Sequence, residues 1–342
     1  MSLRRMIAGR IAWGLILVLL VTALVFVIFN VLPTGDPANT RTGATPQQIE
    51  QVRHAMGLDD PVYVQYGNFL GDLARFDLGT SYRYGVPVTE LVFDRLPVTL
   101  LLVSLATMIW LVLGVALGVL AAARPGSLFD RLAGAGSIVL ISTPVFVLGY
   151  MALLAFASGS DSLVPLLPGI GAYPEADDFP NRVAALILPA LVLGMGLVGL
   201  YFRLARATIR EELTRYYVLA ARARGLGESR ILWRHAFRAG LTPMLTLIGL
   251  DFALIAAGNV VLVEAVFNVP GIGGLMVTSI QRSDLPVVEG VVLFTAILVI
   301  VVNIAIDIAE GILDPRIRQP GPSRRRRSPD AVRPVRDPST SS

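Results

Sequence analysis

The residues best able to do chemistry fail to assemble into any reactive constellation. His54 and His235 are the only histidines. They stand far apart, with no His-Glu-x-x-His pattern to hold zinc. His235 reads as an interface or capping residue rather than a catalyst. There is no cysteine, so thiolate nucleophiles, thiolate metal sites and disulfides are excluded. All 29 basic residues are arginine. Without lysine a Walker A loop is impossible, because that loop needs Gly-Lys-Ser/Thr around the phosphates. Any ATP that drives this protein must be bound by another chain. Gly-x-Ser-x-Gly is absent too. The expectation is a non-enzymatic chain with no catalytic, cofactor-binding or metal-binding residues of its own.

Two other groups of polar residues carry information. Asp251, Asn303 and Asp307 fall within or near long apolar runs, where they are costly unless they face protein or water. Asp251 and Asn303 are candidate lining residues of a polar pathway. The competing reading for Asp251 is an interhelical hydrogen bond, and Asp307 reads as an interfacial or hydrogen-bonded residue. The second group is the stretch Tyr216–Pro243, too basic to cross a bilayer. Its first helical pattern places Tyr217, Ala220 and Ala221 among Arg222 and Arg224. A break follows at Gly225-Leu226-Gly227, then Glu228 opens a second, amphipathic pattern with Ile231, Leu232, His235 and Phe237. Ala and Arg favour helix, and a glycine pair stops it. The apolar stripe left in so basic a loop requires a protein partner to cover it.

The elements that position these residues are apolar spans. The chain has 342 residues, 54% of them hydrophobic, and a mean hydropathy of +0.67. The expected fold class is an all-α polytopic membrane protein with six transmembrane helices. The first apolar run, 11–32, is about 20 residues, enough for a bilayer. It is longer than the core of a signal peptide, and is read as an uncleaved helix. Further spans are expected at 96–123, 133–157 (kinked at Pro144), 183–204, 241–263 and 290–312. Between them lie a polar segment over 33–95 with short helical patterns at Gln47–Met56 and Tyr63–Ala74, an acidic loop over 159–182, and a Gly/Pro-rich loop over 264–289. Gly114, Gly118, Gly194, Gly196, Gly199, Gly249 and Gly258 are expected to permit close helix packing. The divisions are therefore 1–32, a first segment and span; 33–95, an external region; 96–313, a core of five spans containing the loop 205–240; and 314–342, an Arg/Pro/Ser tail expected to be disordered.

Arginine placement orients the chain. The termini, the 124–131 link and the 203–238 segment hold 22 arginines, against seven on the other face. The positive-inside rule puts both termini and the basic loop in the cytoplasm. The basic balance is thus topological, and no nucleic-acid partner is implied; membrane lipid is the expected surrounding.

Ala220, Ala221 and Gly225, with three residues between Ala221 and the glycine, resemble the cytoplasmic EAA loop of ABC-importer permeases. Arg222-Ala-Arg-Gly-Leu-Gly227 followed by Arg234-His-Ala-Phe-Arg238 is similar to the dipeptide/oligopeptide branch, which includes nickel permeases. Leu32-Pro-Thr-Gly-Asp-Pro37, Met56-Gly-Leu-Asp-Asp-Pro61, Asp77-Leu-Gly-Thr-Ser81, Arg95-Leu-Pro-Val-Thr99 and Glu264-Ala-Val-Phe-Asn-Val-Pro-Gly-Ile-Gly273 extend the resemblance to about Pro315. Leu219 replaces the glutamate that names the motif, so that residue's role does not carry over.

The resemblance implies a type I importer permease fold in the bacterial or archaeal cytoplasmic membrane. It implies a second permease subunit sharing the pathway, two ATP-binding subunits carrying ATP and magnesium, and an extracytoplasmic substrate-binding protein. Tyr217, Ala220, Ala221, Arg222, Arg224, Gly225, Leu226 and Glu228 would form the ATPase-coupling loop. Peptides rank first among substrates, ahead of nickel complexes and glycosides. A self-contained ion-coupled carrier is the alternative, but the internal repeat it needs is not evident between 1–157 and 183–312.

The arginine asymmetry makes a direct prediction. A reporter active only in the cytoplasm should work when fused after Arg10, Arg131, Arg210 or Arg318, and fail after Asp60, Asp177 or Arg282. Activity at Asp60 would reverse the assignment.

Overall fold

A computed structural model describes residues 3–31, 60–158 and 162–313. The described residues form helices α1 (Leu3–Phe26), α2 (Val62–Ala74), α3 (Val88–Ala123), α4 (Leu128–Ser142), α5 (Val145–Phe156), α6 (Phe179–Leu213), α7 (Tyr216–Ala223), α8 (Glu228–Arg230), α9 (Phe237–Leu254), α10 (Val260–Phe267), α11 (Ile272–Gln281) and α12 (Leu285–Leu313). Wider π-type turns extend α1 over Val27–Val31 and join α8 to α9 over Ile231–Ala236 and α9 to α10 over Ile255–Asn259. No strand occurs among the described residues; two isolated bridges, Thr80–Pro87 and Ala157–Leu167, close loops. The expected helix at Gln47–Met56 and the Arg-rich tail lie outside the described residues.

Four helical segments among the described residues are long and apolar enough to cross a membrane, within α1, α3, α6 and α12, and the number is six if each of two bent pairs, α4–α5 and α10–α11, is one span. In hydrocarbon the backbone must satisfy itself, which leaves helices as the solution for so apolar a chain. Local chemistry sets the ends. Asp178 caps α6 by accepting from Asn181 N–H at 2.9 Å, and Pro180 occupies its first turn. Ser127 accepts from Asp130 N–H at the start of α4. Asn268, in a left-handed conformation (φ 52°), ends α10.

The core is built on α3 against α6. Leu102, Ala106, Trp110 and Val119 from one helix, and Leu186, Tyr201, Ala205 and Ile209 from the other, are fully buried. The helices approach through glycine: a Cβ added at Gly118 would lie 2.6 Å from the Phe202 carbonyl oxygen, and one at Gly194 would lie 3.0 Å from that of Ala106. Gly114 and Gly199 serve similar close approaches, the latter against α4. Gly196 and Gly258 do not, since a Cβ at either would meet nothing within 4 Å. The surroundings of Gly249 lie outside the described residues.

Four local expectations are corrected. The span expected at 133–157 is not one kinked helix: α4 and α5 meet at 114°. Thr143 is extended (ψ 126°) and Pro144 heads α5. Proline disfavours helix in the residue before it and lacks the N–H that would continue the ladder. The region 264–289 is not merely a loop, because α11 forms within it and packs Ile272 and Leu275 against Val88, Val92, Val287 and Val291. The pattern after Gly227 is not a separate short helix. It runs through the π turn into α9, so Pro243 lies inside that helix rather than at its start. The second span also begins earlier than expected, at Val88, with Pro97 internal.

Filling the α3–α6 approach tests this core. Gly118→Val should force the helices apart and cost about 1–3 kcal/mol as overpacking. The purified variant should lose monodispersity several degrees below the parent on heating in detergent, whereas Gly196→Val should stay close to the parent.

Candidate functional site

The loop after α6 is a compact helical hairpin. Arg215 precedes α7 and pairs with Glu211 at 2.8 Å, while the Tyr217 hydroxyl donates to Glu212 Oε2 at 2.8 Å. Partial burial, and then the Glu212 carboxylate, push the Tyr217 phenol up to about 12. Val218 and Ala221 turn inward and form a small buried cluster with Ile231, lined by Leu213 and Leu226. At the end of α7, Gly225 N–H donates to the Arg222 carbonyl at 2.9 Å and Leu226 N–H to that of Ala221 at 3.2 Å. This pair of bonds, with Gly225 at φ 77° and an apolar contact from Leu226 back to Ala221, is a Schellman cap. Arg222 Nε and Nη2 then reach across the turn to both oxygens of Glu228, at 2.7 and 3.1 Å. That hydrogen bonding holds the Glu228 carboxyl below its ordinary value and raises the Arg222 guanidinium.

The structure thus gathers Tyr217, Ala220, Ala221, Arg222, Arg224, Gly225, Leu226 and Glu228 into one hairpin. The two faces of α7 differ. Val218 and Ala221 are spent on the chain itself, while Tyr216, Leu219, Ala220 and Ala223 are exposed at helical spacing, Tyr216 by 90% and Leu219 by 52%. Arg224 is exposed beside them.

A second contact fixes the hairpin's base. Asp130, buried in the first turn of α4, receives Arg206 Nε and, at 2.7 Å, Arg210 Nη2 from α6, together with Gly126 N–H at 2.9 Å. The end of α6 that carries the loop is thereby tied to the α3–α4 link.

The two expected pathway residues, Asp251 and Asn303, share no hydrogen bond among the described residues. The Tyr201 hydroxyl donates to Asp251 Oδ2 at 2.7 Å, and the buried Tyr201 ring lies 4.2 Å from that of Trp110. For Asp251, then, the interhelical hydrogen bond is present. Asn303 is partly buried on α12. Asp307 pairs with Arg10 on α1 at 2.8 Å.

Sequence reasoning missed three buried carboxylates. Asp130 is one. Glu264 is fully buried and accepts from Thr99 Oγ1 at 2.7 Å and Gly274 N–H at 3.0 Å, fastening α10 to α3 and to the start of α11. Asp284, also fully buried, accepts from Ser81 Oγ at 2.5 Å and from Tyr82 N–H at 3.1 Å. Glu264 and Asp284 lie in Gly/Pro-rich segments, and an acid beside such a turn is the signal that was available.

Comparison with known proteins agrees with this architecture. Residues 114–319 match the family described as binding-protein-dependent transport system inner membrane component, and residues 3–104 match the corresponding N-terminal family. A protein of Brucella abortus named as a peptide transport system permease is 36% identical over 92% of this chain and 98% of its own length. One of Sinorhizobium fredii named as a peptide ABC transporter permease is 34% identical over 91% of this chain and 98% of its own length. The di/tripeptide transport system permease DppB of Pseudomonas aeruginosa is 37% identical over 87% of this chain and 94% of its own length.

The Arg222–Glu228 pair has a defined pH window. Because Glu228 is lowered from 4.5, its contribution is complete above that value and fades only as pH falls through the lower, folded one. Hydrogen exchange of the 222–230 amides, corrected for intrinsic rate, should be unchanged from pH 7 to pH 5.5. Glu228→Gln should raise it at pH 7.

With that coverage and that order of elements, the chain belongs to the family of binding-protein-dependent transport system inner membrane components.

Proposed function

We propose that this chain is the permease subunit of an ATP-driven peptide importer of the bacterial or archaeal cytoplasmic membrane, with both termini and the 205–240 loop in the cytoplasm. In this reading a second permease subunit completes the pathway, two ATP-binding subunits carry ATP and magnesium, and an extracytoplasmic binding protein delivers di- or oligopeptides. Peptide as the substrate is supported by the names of the relatives, and the orientation by the arginine asymmetry.

The observation that carries the coupling role is the double-sided α7. An exposed Tyr216/Leu219/Ala220/Ala223 face beside arginines is an anchor for a partner's groove, since an amphipathic helix is recognised through residues spaced i, i+3, i+4 and i+7. The inward face and the Schellman cap make α7 rigid with α8 and α9. A partner that closes on nucleotide then shifts a two-state packing of the spans rather than a loose loop. Small residues at 220 and 223 permit close approach. Asp251 and Asn303 remain candidate pathway residues in this reading, with Tyr201 holding Asp251 in one orientation.

The test uses the reconstituted complex and the isolated chain. Gly225→Val must adopt φ near 77°, a region that a β-branched residue reaches only with strain. Space is not the obstacle, because a Cβ there meets nothing within 4 Å. The variant should insert normally yet lose ATPase association, or hydrolyse ATP while peptide uptake falls at least ten-fold. Glu228→Gln should have a milder effect, and the isolated chain should hydrolyse no ATP above a mock preparation. Normal coupled uptake by Gly225→Val would refute the coupling assignment.

A further inference from the structure

Between the end of α3, the end of α6 and the loop hairpin lies a cleft of about 650 Å³. Arg124, Arg210 and Arg222 line it, one from each of these three elements, with Glu228 and Ser229 at its edge. Its apolar walls include Ala122, Ala123, Leu213 and Leu232.

Two features of the arginines are unexplained by the chain itself. Arg210 uses Nη2 on Asp130, but its Nε–H is enclosed and has no acceptor among the described residues. A buried donor without a partner is unfavourable and uncommon in folded proteins. The Arg124 guanidinium, at the C-terminal end of α3, has no hydrogen-bond or ion-pair partner among the described residues. In and behind the cleft four guanidiniums (Arg124, Arg206, Arg210, Arg222) stand against two carboxylates (Asp130, Glu228), a surplus of two positive charges.

We infer that this cleft binds a phosphate oxyanion, and that the phosphate belongs to the headgroup of an anionic phospholipid. A tetrahedral phosphate offers acceptors in several directions, so it can take N–H groups from Arg210 and Arg124 together. The cleft opens where the apolar run of α3 ends at Ala123 and the first arginine of the link follows, and arginines flanking a span are placed to meet lipid headgroups. Its apolar walls and its volume suit the glycerol and first methylenes of a lipid. A free phosphate ion would leave that surface wet. Basic pockets between transmembrane helices on the arginine-rich face are a recurrent setting for anionic headgroups. The site does not depend on which solute the protein transports.

The experiment is native mass spectrometry of the full purified chain in detergent, titrated with phosphatidylglycerol and, separately, phosphatidylcholine. Thermal unfolding in inorganic phosphate forms a third arm. Phosphatidylglycerol should give one saturable adduct, phosphatidylcholine none at equal concentration, and phosphate no comparable protection. Arg124→Gln should weaken the phosphatidylglycerol adduct about five-fold while the chain stays monodisperse. Arg131→Gln, at an exposed residue early in α4 that does not line the cleft, should change it less than two-fold. Equal binding of the two lipids, equal loss in the two variants, or protection by phosphate without a phosphatidylglycerol adduct would each overturn the assignment.

Discussion

The close approach of α3 and α6 is the constraint on which the rest of the molecule depends. Lipid tails are as apolar as leucine, so burying leucine against leucine gives two spans little reason to associate. What holds them is dense contact, and dense contact needs the backbones to come near. Gly118 opposite Phe202, and Gly194 opposite Ala106, supply that on both helices. Around this pair the other elements find their places. The α4 and α5 helices lean on α6, α10 joins the same core, and α11 and α12 close against the start of α3. The loop hairpin is simply what lies at the end of α6.

The buried carboxylates complement this packing at the bends. Each stands at or near a helix end, where amide donors would otherwise be stranded in a dry setting. Asp130 serves Gly126, Glu264 serves Gly274, and Asp284 serves Tyr82 and Arg83. Each also takes a donor from a sequence-distant element: Arg206 and Arg210, Thr99, and Ser81. A residue with both duties specifies one mutual placement of two elements, because its acceptors are satisfied only there. The sharp turns at α4–α5 and α10–α11 therefore differ in kind. The first follows from the covalent chemistry of Pro144, the second from a carboxylate held by three elements.

Much of this was legible in the chain. Hydropathy alone locates the spans within α1, α3, α6 and α12, because twenty apolar residues have few other fates. The loop hairpin was also readable: Gly225 followed by Leu226 matches a Schellman ending, and the structure has that cap. Other features were hidden for physical reasons. Pro144 indicates a change of direction but not its size, since 114° is set by what α5 packs on. The helix α11 was masked by Gly273 and Gly274, which read as loop until Ile272 and Leu275 are seen to be buried against distant valines. Asp130, Glu264 and Asp284 were overlooked because their partners lie far away in sequence. Asp251 was conspicuous by its apolar neighbours, but its partner Tyr201, distant in sequence, was not.

The route from the loop into the spans is stiff by construction. From Glu228 the backbone stays helical through two π turns to Phe267, about 60 Å of path at 1.5 Å per residue. It ends three residues beyond Glu264, which is bonded to α3 and α11. At the near end, α7 cannot rock freely on this rod. The Val218–Ala221–Ile231 cluster and the Arg222–Glu228 pair couple them on two sides of the Gly225 turn. The exposed ion pair alone would contribute little. The buried cluster supplies the stiffness, and the pair fixes its rotation. A load on the outer face of α7 is thus divided between α6, held at its base by Asp130, and the α8–α10 rod. Compliance is left at the π turns, where the hydrogen-bond ladder is already loosened. Any rearrangement driven from the loop should bend the protein there, at Ile231–Ala236 and Ile255–Asn259, before it separates α3 from α6.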